Sequence, residues 1–178
     1  GRVTSGAAMA LKARTLLYAA SPLHNTSNSQ ALWEEAASAA ASIITEGNYT
    51  LEPNYSNVVN NLTSNELILG RRQGQSNDFE RRNFPIGYEG GNTGTCPTQN
   101  LVDAYEMVET GLPVTDPASG YDPIFPYEGR DPRLAETVIY NNSNWKGQPF
   151  EIFYGGANAK PEPNATQTGY YLKKYVIE

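Results

Sequence analysis

The sequence is poor in the residues that most metal sites and many enzymes use. It has one cysteine, Cys96, and one histidine, His24. A single cysteine cannot form an internal disulfide or a thiolate zinc cluster, and a single imidazole removes most histidine-based metal sites. We therefore expect no metal site and no cofactor, with calcium binding left open by the sequence.

Charge and long apolar runs are also scarce. Only 18% of the residues are charged, and acidic residues outnumber basic ones by 19 to 13, which gives a net charge of −6. This balance argues against a nucleic-acid-binding protein, which would need a basic surface to neutralise phosphates. No apolar run approaches the roughly 18–20 residues of a membrane-spanning helix. With 16 glycines and 12 prolines, the composition favours a globular, loop-rich chain.

The stretch around the cysteine, GTCPTQNLVDAYEM, raises the question of a catalytic thiol. A nucleophilic cysteine needs a partner base and an oxyanion hole. Nothing in the sequence places His24 near Cys96, and no nucleophile-elbow motif surrounds the thiol. The preceding YEGGNTG lacks the spacing of a phosphate-binding loop, and the many carboxylates form no recognisable pair. The residues therefore favour a structural cysteine and a protein that is not an enzyme.

Two helices are predicted at the start of the chain. The first runs from about Thr4 to Ala20 and is rich in small residues. The second begins near Ser29, a good N-cap residue, and ends at Gly47, a natural helix stop. Its apolar residues recur at the spacing of one helical face: Trp33, Ala36, Ala37, Ala40, Ile43 and Ile44. The pair resembles one unit of a tetratricopeptide-type repeat, which cannot bury its own face, so we expect the chain to be an internal piece of a longer protein.

The remainder is predicted to alternate loops with short elements. We expect one helical turn in YSNVVNNL, a strand over Glu66–Arg71, and a long polar loop over Gln73–Thr95. Further strands are indicated in AETVIYNN, PFEIFYGG and GYYLKKYVI, which are rich in β-branched and aromatic residues.

Two short helices are indicated within this remainder. One follows Thr98 and should bury Leu101, Val102 and Tyr105. In the other, Asp131 is expected to be the cap, with Pro132 at the first helical position. The predicted fold is therefore α+β, mainly α: a repeat-type helical hairpin over residues 1–48, packed against a loop-rich region over 49–178.

Aromatic side chains are concentrated in or beside the predicted loops, at Phe79, Phe84, Tyr88, Tyr121, Phe125, Tyr127 and Trp145. Loops on a rigid scaffold commonly carry binding function, and flat aromatic faces suit sugar rings. The alternative is that these rings pin the loops to the helices. Our candidate ligand-binding residues are Phe79, Phe84, Tyr88 and Trp145.

Several stretches together resemble the SusD/RagB family. The specific ones are PTQNLVDAYEM and GRDPRLAETVIY, supported by the alanine-rich helices, FPIGYEGGNTG and TGYYLKKYV, in matching order along nearly the whole chain. The resemblance implies a non-enzymatic, surface-exposed outer-membrane lipoprotein of Bacteroidetes-type bacteria, in which repeat helices form a scaffold and a loop-rich half holds the ligand. It also implies capture of a glycan or other nutrient for a SusC-like TonB-dependent transporter.

The lipid-anchored N-terminal cysteine of that family has no counterpart here, since Cys96 lies within the chain. Ligand residues vary within the family, so none can be transferred by motif. Two further readings remain open: a repeat-type protein-interaction module without its own ligand site, and an enzyme that uses Cys96.

Overall fold

The computed structural model describes residues 3–70, 74 and 76–176, which fall into two compact units, Gly1–Gln73 and Gly74–Glu178. The described part is mainly helical with short strands, as predicted. No helix within it is long and apolar enough to cross a membrane. Its elements are α1 Ser5–Ala20, α2 Gln30–Glu46, α3 Tyr55–Asn60, α4 Asp78–Asn83, α5 Gln99–Asp103, α6 Arg133–Thr137, β1 Val138–Ile139, β2 Asn144–Trp145, β3 Gln148–Pro149 and β4 Tyr171–Leu172.

The predicted ends of the first two helices are confirmed. Thr4 is the N-cap of α1, where its hydroxyl accepts a hydrogen bond from the Ala7 N–H at 3.2 Å. Helix α2 ends at Gly47, which adopts the left-handed conformation with φ of 73°. Each end therefore follows from local side-chain and backbone chemistry that the sequence displays.

Small residues form the contact between α1 and α2. The buried positions are Gly6, Ala7 and Ala20 on α1 and Ala36 on α2. Tyr49 covers Gly6 so closely that a Cβ there would lie 2.0 Å from the tyrosine hydroxyl oxygen. The larger apolar side chains are exposed instead: Leu11 66%, Leu17 53%, Tyr18 58% and Ile44 79%. The predicted apolar face of α2 is thus only partly covered within this unit.

The loop between these helices is organised by one buried amide, Asn25, which is 4% exposed. Its Oδ1 accepts the Ser29 N–H at 2.7 Å, and its Nδ2 donates to the carbonyls of Ala20 at 3.3 Å and Ser29 at 3.0 Å. The Asn25 side chain thus hydrogen-bonds backbone groups in the chain reversal, where no regular secondary structure supplies their partners.

The strand predicted over Glu66–Arg71 is wrong over the described positions 66–70, and Arg71 lies outside the described residues. Polar side chains bond this segment instead. The Glu66 carboxylate accepts the Glu52 N–H at 2.6 Å, and the Ser64 hydroxyl donates to Glu52 at 3.0 Å. The Glu66 N–H donates to the Ser64 hydroxyl at 3.2 Å and the Leu67 N–H to the Ser64 carbonyl at 3.1 Å, so the segment begins in a turn rather than in a strand. Helix α3, by contrast, confirms the predicted helical turn.

The core of the second unit lies on the two sides of one pair of short strands, β1 and β4. Strand β1 pairs antiparallel with β4, with Val138 opposite Leu172 and Ile139 opposite Tyr171. Successive residues of a strand face opposite sides. Val138 accordingly joins a cluster with Val102, Leu134 and Tyr170, while Ile139 joins one with Trp145, Phe150 and Tyr171. Two apolar clusters thus share one two-residue ladder.

Strand formation in PFEIFYGG is limited to Pro149. Phe150 still makes backbone hydrogen bonds, because its N–H donates to the Ser143 carbonyl at 2.9 Å and its carbonyl accepts the Asn142 N–H at 2.8 Å. The next two amides bond to side chains: the Glu151 N–H donates to Asn158 at 3.0 Å and the Ile152 N–H to Asn141 at 2.9 Å. Beyond Phe150, asparagine side chains therefore replace the ladder that the β-branched and aromatic composition predicted.

The predicted loop over Gln73–Thr95 contains a helix, α4, in its described part. Acidic residues in its first turn, Asp78 and Glu80, and basic ones in its last, Arg81 and Arg82, suit the helix dipole. The helix predicted after Thr98 is confirmed as α5, with the Thr98 hydroxyl accepting the Leu101 N–H at 3.4 Å. The burial predicted for Leu101 is wrong, since this side chain is 40% exposed.

A buried arginine joins α5 to the proline-rich loop that precedes α6. Arg130 is 6% exposed, and its guanidinium donates to the carbonyls of Val102 at 2.5 Å, Tyr105 at 2.8 Å and Pro126 at 2.8 Å. The guanidinium also lies 5.5 Å from the centre of the Tyr121 ring. Its charge is therefore compensated by carbonyl dipoles and a ring face.

The expected cap of α6 is displaced by one residue. Pro132 occupies the N-cap position, and Asp131 precedes it. The Asp131 carboxylate still accepts the Arg133 N–H at 2.9 Å and forms an ion pair with the Arg133 guanidinium. Hydrogen bonding from Arg133 holds the pKa of Asp131 below its usual range.

We expect Arg130→Met to lower the free energy of unfolding of the second unit by roughly 3–5 kcal/mol, because one buried and two partly buried carbonyls would lose a charged donor. Arg130→Lys should be only partly tolerated, since an ammonium lacks the planar fork of donors. The measurement is urea denaturation followed by Trp145 fluorescence in a Trp33→Phe background. The exposed Arg81→Met is the control, and an equal small loss in both variants would contradict the assigned role.

We expect Asp131→Asn to remove a pH-dependent part of stability while retaining the turn, because an amide oxygen can still accept the Arg133 N–H. The folded pKa of Asp131 is lowered, so its stabilisation is present above about pH 4 and is lost as pH falls through the folded value. The difference in unfolding free energy between the two proteins should be below about 1 kcal/mol near pH 6 and should shrink toward pH 3. A difference that is constant across this range would disprove the linkage.

Candidate functional site

Three of the four candidate aromatic residues lie together in the second unit. The Phe84 ring meets the Tyr88 ring edge to face at 6.2 Å and the Trp145 ring at 6.3 Å. Phe84 and Tyr88 are half-buried, whereas Trp145 has no exposed surface. Because its ring is enclosed, Trp145 supports the other two and has no face for a ligand in this structure.

Phe79 lies apart from this cluster. It is 45% exposed and meets Tyr175 edge to face at 6.0 Å. The structure therefore brings together Phe84, Tyr88 and Trp145 and gives Phe79 a different ring partner.

Lys146 completes the cluster and was not among the sequence candidates. Its ammonium lies 4.9 Å from the centre of the Phe84 ring and 5.9 Å from that of Tyr88, which are cation–π distances. Lys146 and Gly147 form the two-residue turn between β2 and β3, both with positive φ, at 50° and 77°. Glycine is the usual second residue of such a turn, but only tertiary contacts show where the Lys146 ammonium lies.

The cluster is held to the core by a hydrogen bond as well as by ring contacts. The Tyr88 hydroxyl donates to the Trp145 carbonyl at 3.0 Å, which joins the loop carrying Phe84 to the β2–β3 hairpin. Phe84, Tyr88 and Lys146 thus form a preformed surface with apolar faces and one positive charge. We call these three residues the aromatic–lysine surface.

An open polar cleft of about 520 Å³ lies along the same segment of chain. Arg81, Arg82, Asp78 and Asn92 line it, together with Gly90 and Gly91. It adjoins the aromatic–lysine surface, because the Asn92 N–H donates to the Phe84 carbonyl at 2.9 Å and the Gly91 N–H to the Tyr88 carbonyl at 3.1 Å. Sequence reasoning missed the cleft because it missed α4, which carries both arginines.

Gly91 allows the chain to fold back against the aromatic segment. A Cβ at this position would lie 2.5 Å from the Pro85 carbonyl oxygen and 2.7 Å from the Ile86 Cα. The close approach of backbone to backbone therefore requires glycine at position 91.

The chemistry of these groups suits binding. Guanidinium, amide and carboxylate groups hydrogen-bond hydroxyls, and ring faces cover apolar C–H surface. Across residues 3–70, 74 and 76–176, no group of three or more His, Cys, Asp or Glu could hold a metal ion. Cys96 is half-buried in the second unit, while His24 belongs to the first unit.

Comparison with known proteins agrees with the architecture. The profile of the SusD family matches residues 39–178. A crystal structure described as a SusD-like carbohydrate binding protein from Bacteroides fragilis superposes with a TM-score of 0.68 at 26% sequence identity. The alignment covers 98% of this chain and 34% of that protein, so the chain spans about a third of its length. Among curated proteins, none matches. The family match extends over most of the sequence, and the chain therefore belongs to the SusD family.

Proposed function

We propose that this protein captures a glycan, as the binding subunit of a nutrient-uptake system, and that it does not catalyse a reaction. The observation that carries the proposal is the aromatic–lysine surface beside a hydrogen-bonding cleft, in a member of the SusD family. The related Bacteroides fragilis protein is described as carbohydrate binding. Phe84 and Tyr88 would stack on sugar rings, and Lys146 and the cleft residues would bond hydroxyls. Phe79, which lies apart beside Tyr175, would make a separate contact.

We further propose that the protein acts at the bacterial outer membrane as a surface-exposed lipoprotein, delivering its ligand to a SusC-like TonB-dependent transporter. Family membership supports this assignment. The same partner would give the exposed apolar residues of α1 and α2 a function. Co-purification of the full-length protein from detergent-solubilised outer membranes tests the assignment: recovery of a TonB-dependent transporter is expected, and its absence from cross-linked samples would contradict it.

A second candidate function is a protein-interaction module without its own ligand site. It is favoured by the exposed side chains Leu11, Leu17, Tyr18 and Ile44, which are 53–79% exposed on the helical hairpin. Patches of this kind mark interaction surfaces when they are contiguous. This candidate predicts that Leu17→Ser and Ile44→Ser weaken partner recovery while leaving glycan affinity unchanged.

For glycan binding, we expect Tyr88→Ala to weaken affinity about tenfold, which corresponds to about 1.4 kcal/mol, because a stacking face is removed. Lys146→Asn should weaken it several-fold. Asparagine before glycine keeps the positive-φ turn, so this change removes the ammonium without disturbing the hairpin. The measurement is calorimetry or affinity electrophoresis of the full-length protein against a polysaccharide panel.

The matched control for these variants is Tyr154→Ala, because Tyr154 is 86% exposed in the same unit and lies outside the aromatic–lysine surface and the polar cleft. Retained affinity in the control, with loss in Tyr88→Ala, is the expected pattern. Absence of binding to every glycan by the unaltered protein, with tight binding to a peptide instead, would refute glycan capture. Phe79→Ala tests separately whether the distant ring contributes.

A further inference from the structure

A second concave surface lies in the second unit, formed by the proline-rich loop 123–128 and by residues 140–142. Its volume of about 560 Å³ falls within the range of small-molecule sites. None of its lining residues belongs to the aromatic–lysine surface. We call it the tyrosine cleft, after Tyr127 and Tyr140, which are among its lining residues.

These two tyrosines are prearranged. Their rings are stacked, with centres 4.0 Å apart and planes 21° from parallel. Both pack on the apolar cluster that contains Tyr170. The Tyr127 hydroxyl donates to the Tyr170 hydroxyl at 3.4 Å, and that hydroxyl donates to Gln99 at 2.7 Å. A ligand would therefore meet an aromatic pair whose position is set by the core.

The lining residues from the proline-rich loop include apolar side chains that the fold does not cover. Ile124 is 77% exposed and Phe125 is 54% exposed. Their loop is held in shape at both ends. The Asp122 carboxylate accepts the Ile124 N–H at 2.8 Å, and the Pro126 carbonyl accepts a hydrogen bond from buried Arg130 at 2.8 Å. Two large apolar groups are thus kept in solvent on a restrained loop, which lowers the entropy cost of binding there.

Polar groups complete the lining. Asn141 uses its Oδ1 to accept the Ile152 N–H at 2.9 Å, which fixes the orientation of an amide whose Nδ2 group is a hydrogen-bond donor. Asn142 is exposed and holds a left-handed conformation with φ of 65°. The Tyr140 hydroxyl is a neutral donor and acceptor at physiological pH, as an ordinary tyrosine is, and burial raises its pKa further. Amide and hydroxyl groups therefore border the apolar faces.

The charge of the cleft narrows the ligand class. Among the lining residues, Glu128 is the one with a charged side chain. A carboxylate accepts hydrogen bonds from hydroxyls and repels sulfate, phosphate and uronate groups. This electrostatic character is opposite to that of the arginines beside the aromatic–lysine surface.

We propose that the tyrosine cleft binds a ring of a neutral saccharide, as a subsite separate from the aromatic–lysine surface. The sugar C–H face would pack on Phe125 and the tyrosines, while its hydroxyls bond Glu128, Asn141 and the Tyr140 hydroxyl. This inference rests on the proposed function, glycan capture, and adds to it a second location and a preference for uncharged sugars.

The experiment is calorimetry of the full-length protein with neutral and uronate-containing oligosaccharides of matched length. Phe125→Ala should weaken binding of the neutral oligosaccharide about five- to tenfold. Tyr140→Phe should weaken it about threefold, because it removes one hydroxyl and keeps the stack. Phe153→Ala is the matched control, since Phe153 is a phenylalanine of the same unit with 53% exposure outside the cleft, and it should bind as the unaltered protein does.

The possible failures are distinguishable. Binding of neutral saccharide that is unchanged in both Phe125→Ala and Tyr140→Phe overturns the tyrosine cleft and leaves glycan capture standing. Equal losses in Phe125→Ala and the Phe153→Ala control also overturn it, as does binding restricted to uronate-containing oligosaccharides. No binding of any saccharide by the unaltered protein overturns the proposed function together with the inference.

Discussion

The second unit depends on a buried positive charge that is compensated without a carboxylate. Arg130 donates to carbonyls from the end of α5 and from the proline-rich loop, which adds to the backbone hydrogen bonds that join residues 106–108 to residues 129–131. Removing a guanidinium from water costs desolvation free energy, and carbonyl dipoles offset that cost only where several of them contact the same guanidinium. The convergence therefore requires the loop to follow one path. That path sets the position of Pro126 and, next to it, the exposed Phe125 and the stacked Tyr127.

Few hydrogen bonds between strands support the proposed ligand-binding surfaces. The described strands are two residues long, and much of the connection between segments comes from side-chain amides. Asn158 illustrates this: it accepts the Glu151 N–H at 3.0 Å and donates to the Ile86 carbonyl at 2.7 Å, beside the aromatic segment. Such bonds satisfy loop backbone without imposing a periodic shape. A fold of this kind can vary the loops that bear Phe84 or Phe125 while the apolar clusters around β1 and β4 are kept.

The two proposed binding surfaces use one recognition principle with different electrostatics. Each places aromatic faces beside hydrogen-bonding groups. Lys146 and the nearby arginines give one surface positive charge, whereas Glu128 gives the tyrosine cleft negative charge. A glycan-capturing protein with both would favour chains whose residues differ in charge or which present neutral units to the cleft. The net charge of −6 says nothing about this division, because a total does not report how charges are distributed.

The sequence by itself determined features that depend on neighbours along the chain. The caps at Thr4 and Thr98 and the helix stop at Gly47 could be predicted because hydroxyl capping and left-handed glycine are local properties. Family membership followed from local motifs as well. Only the tertiary structure decided which aromatic rings are exposed: Trp145 is enclosed while Phe79 is open, although both were predicted in loops. It likewise decided that the ammonium of Lys146 lies over Phe84, and that residues 66–70 form no strand. These outcomes depend on partners distant in sequence, and composition and spacing do not specify such partners.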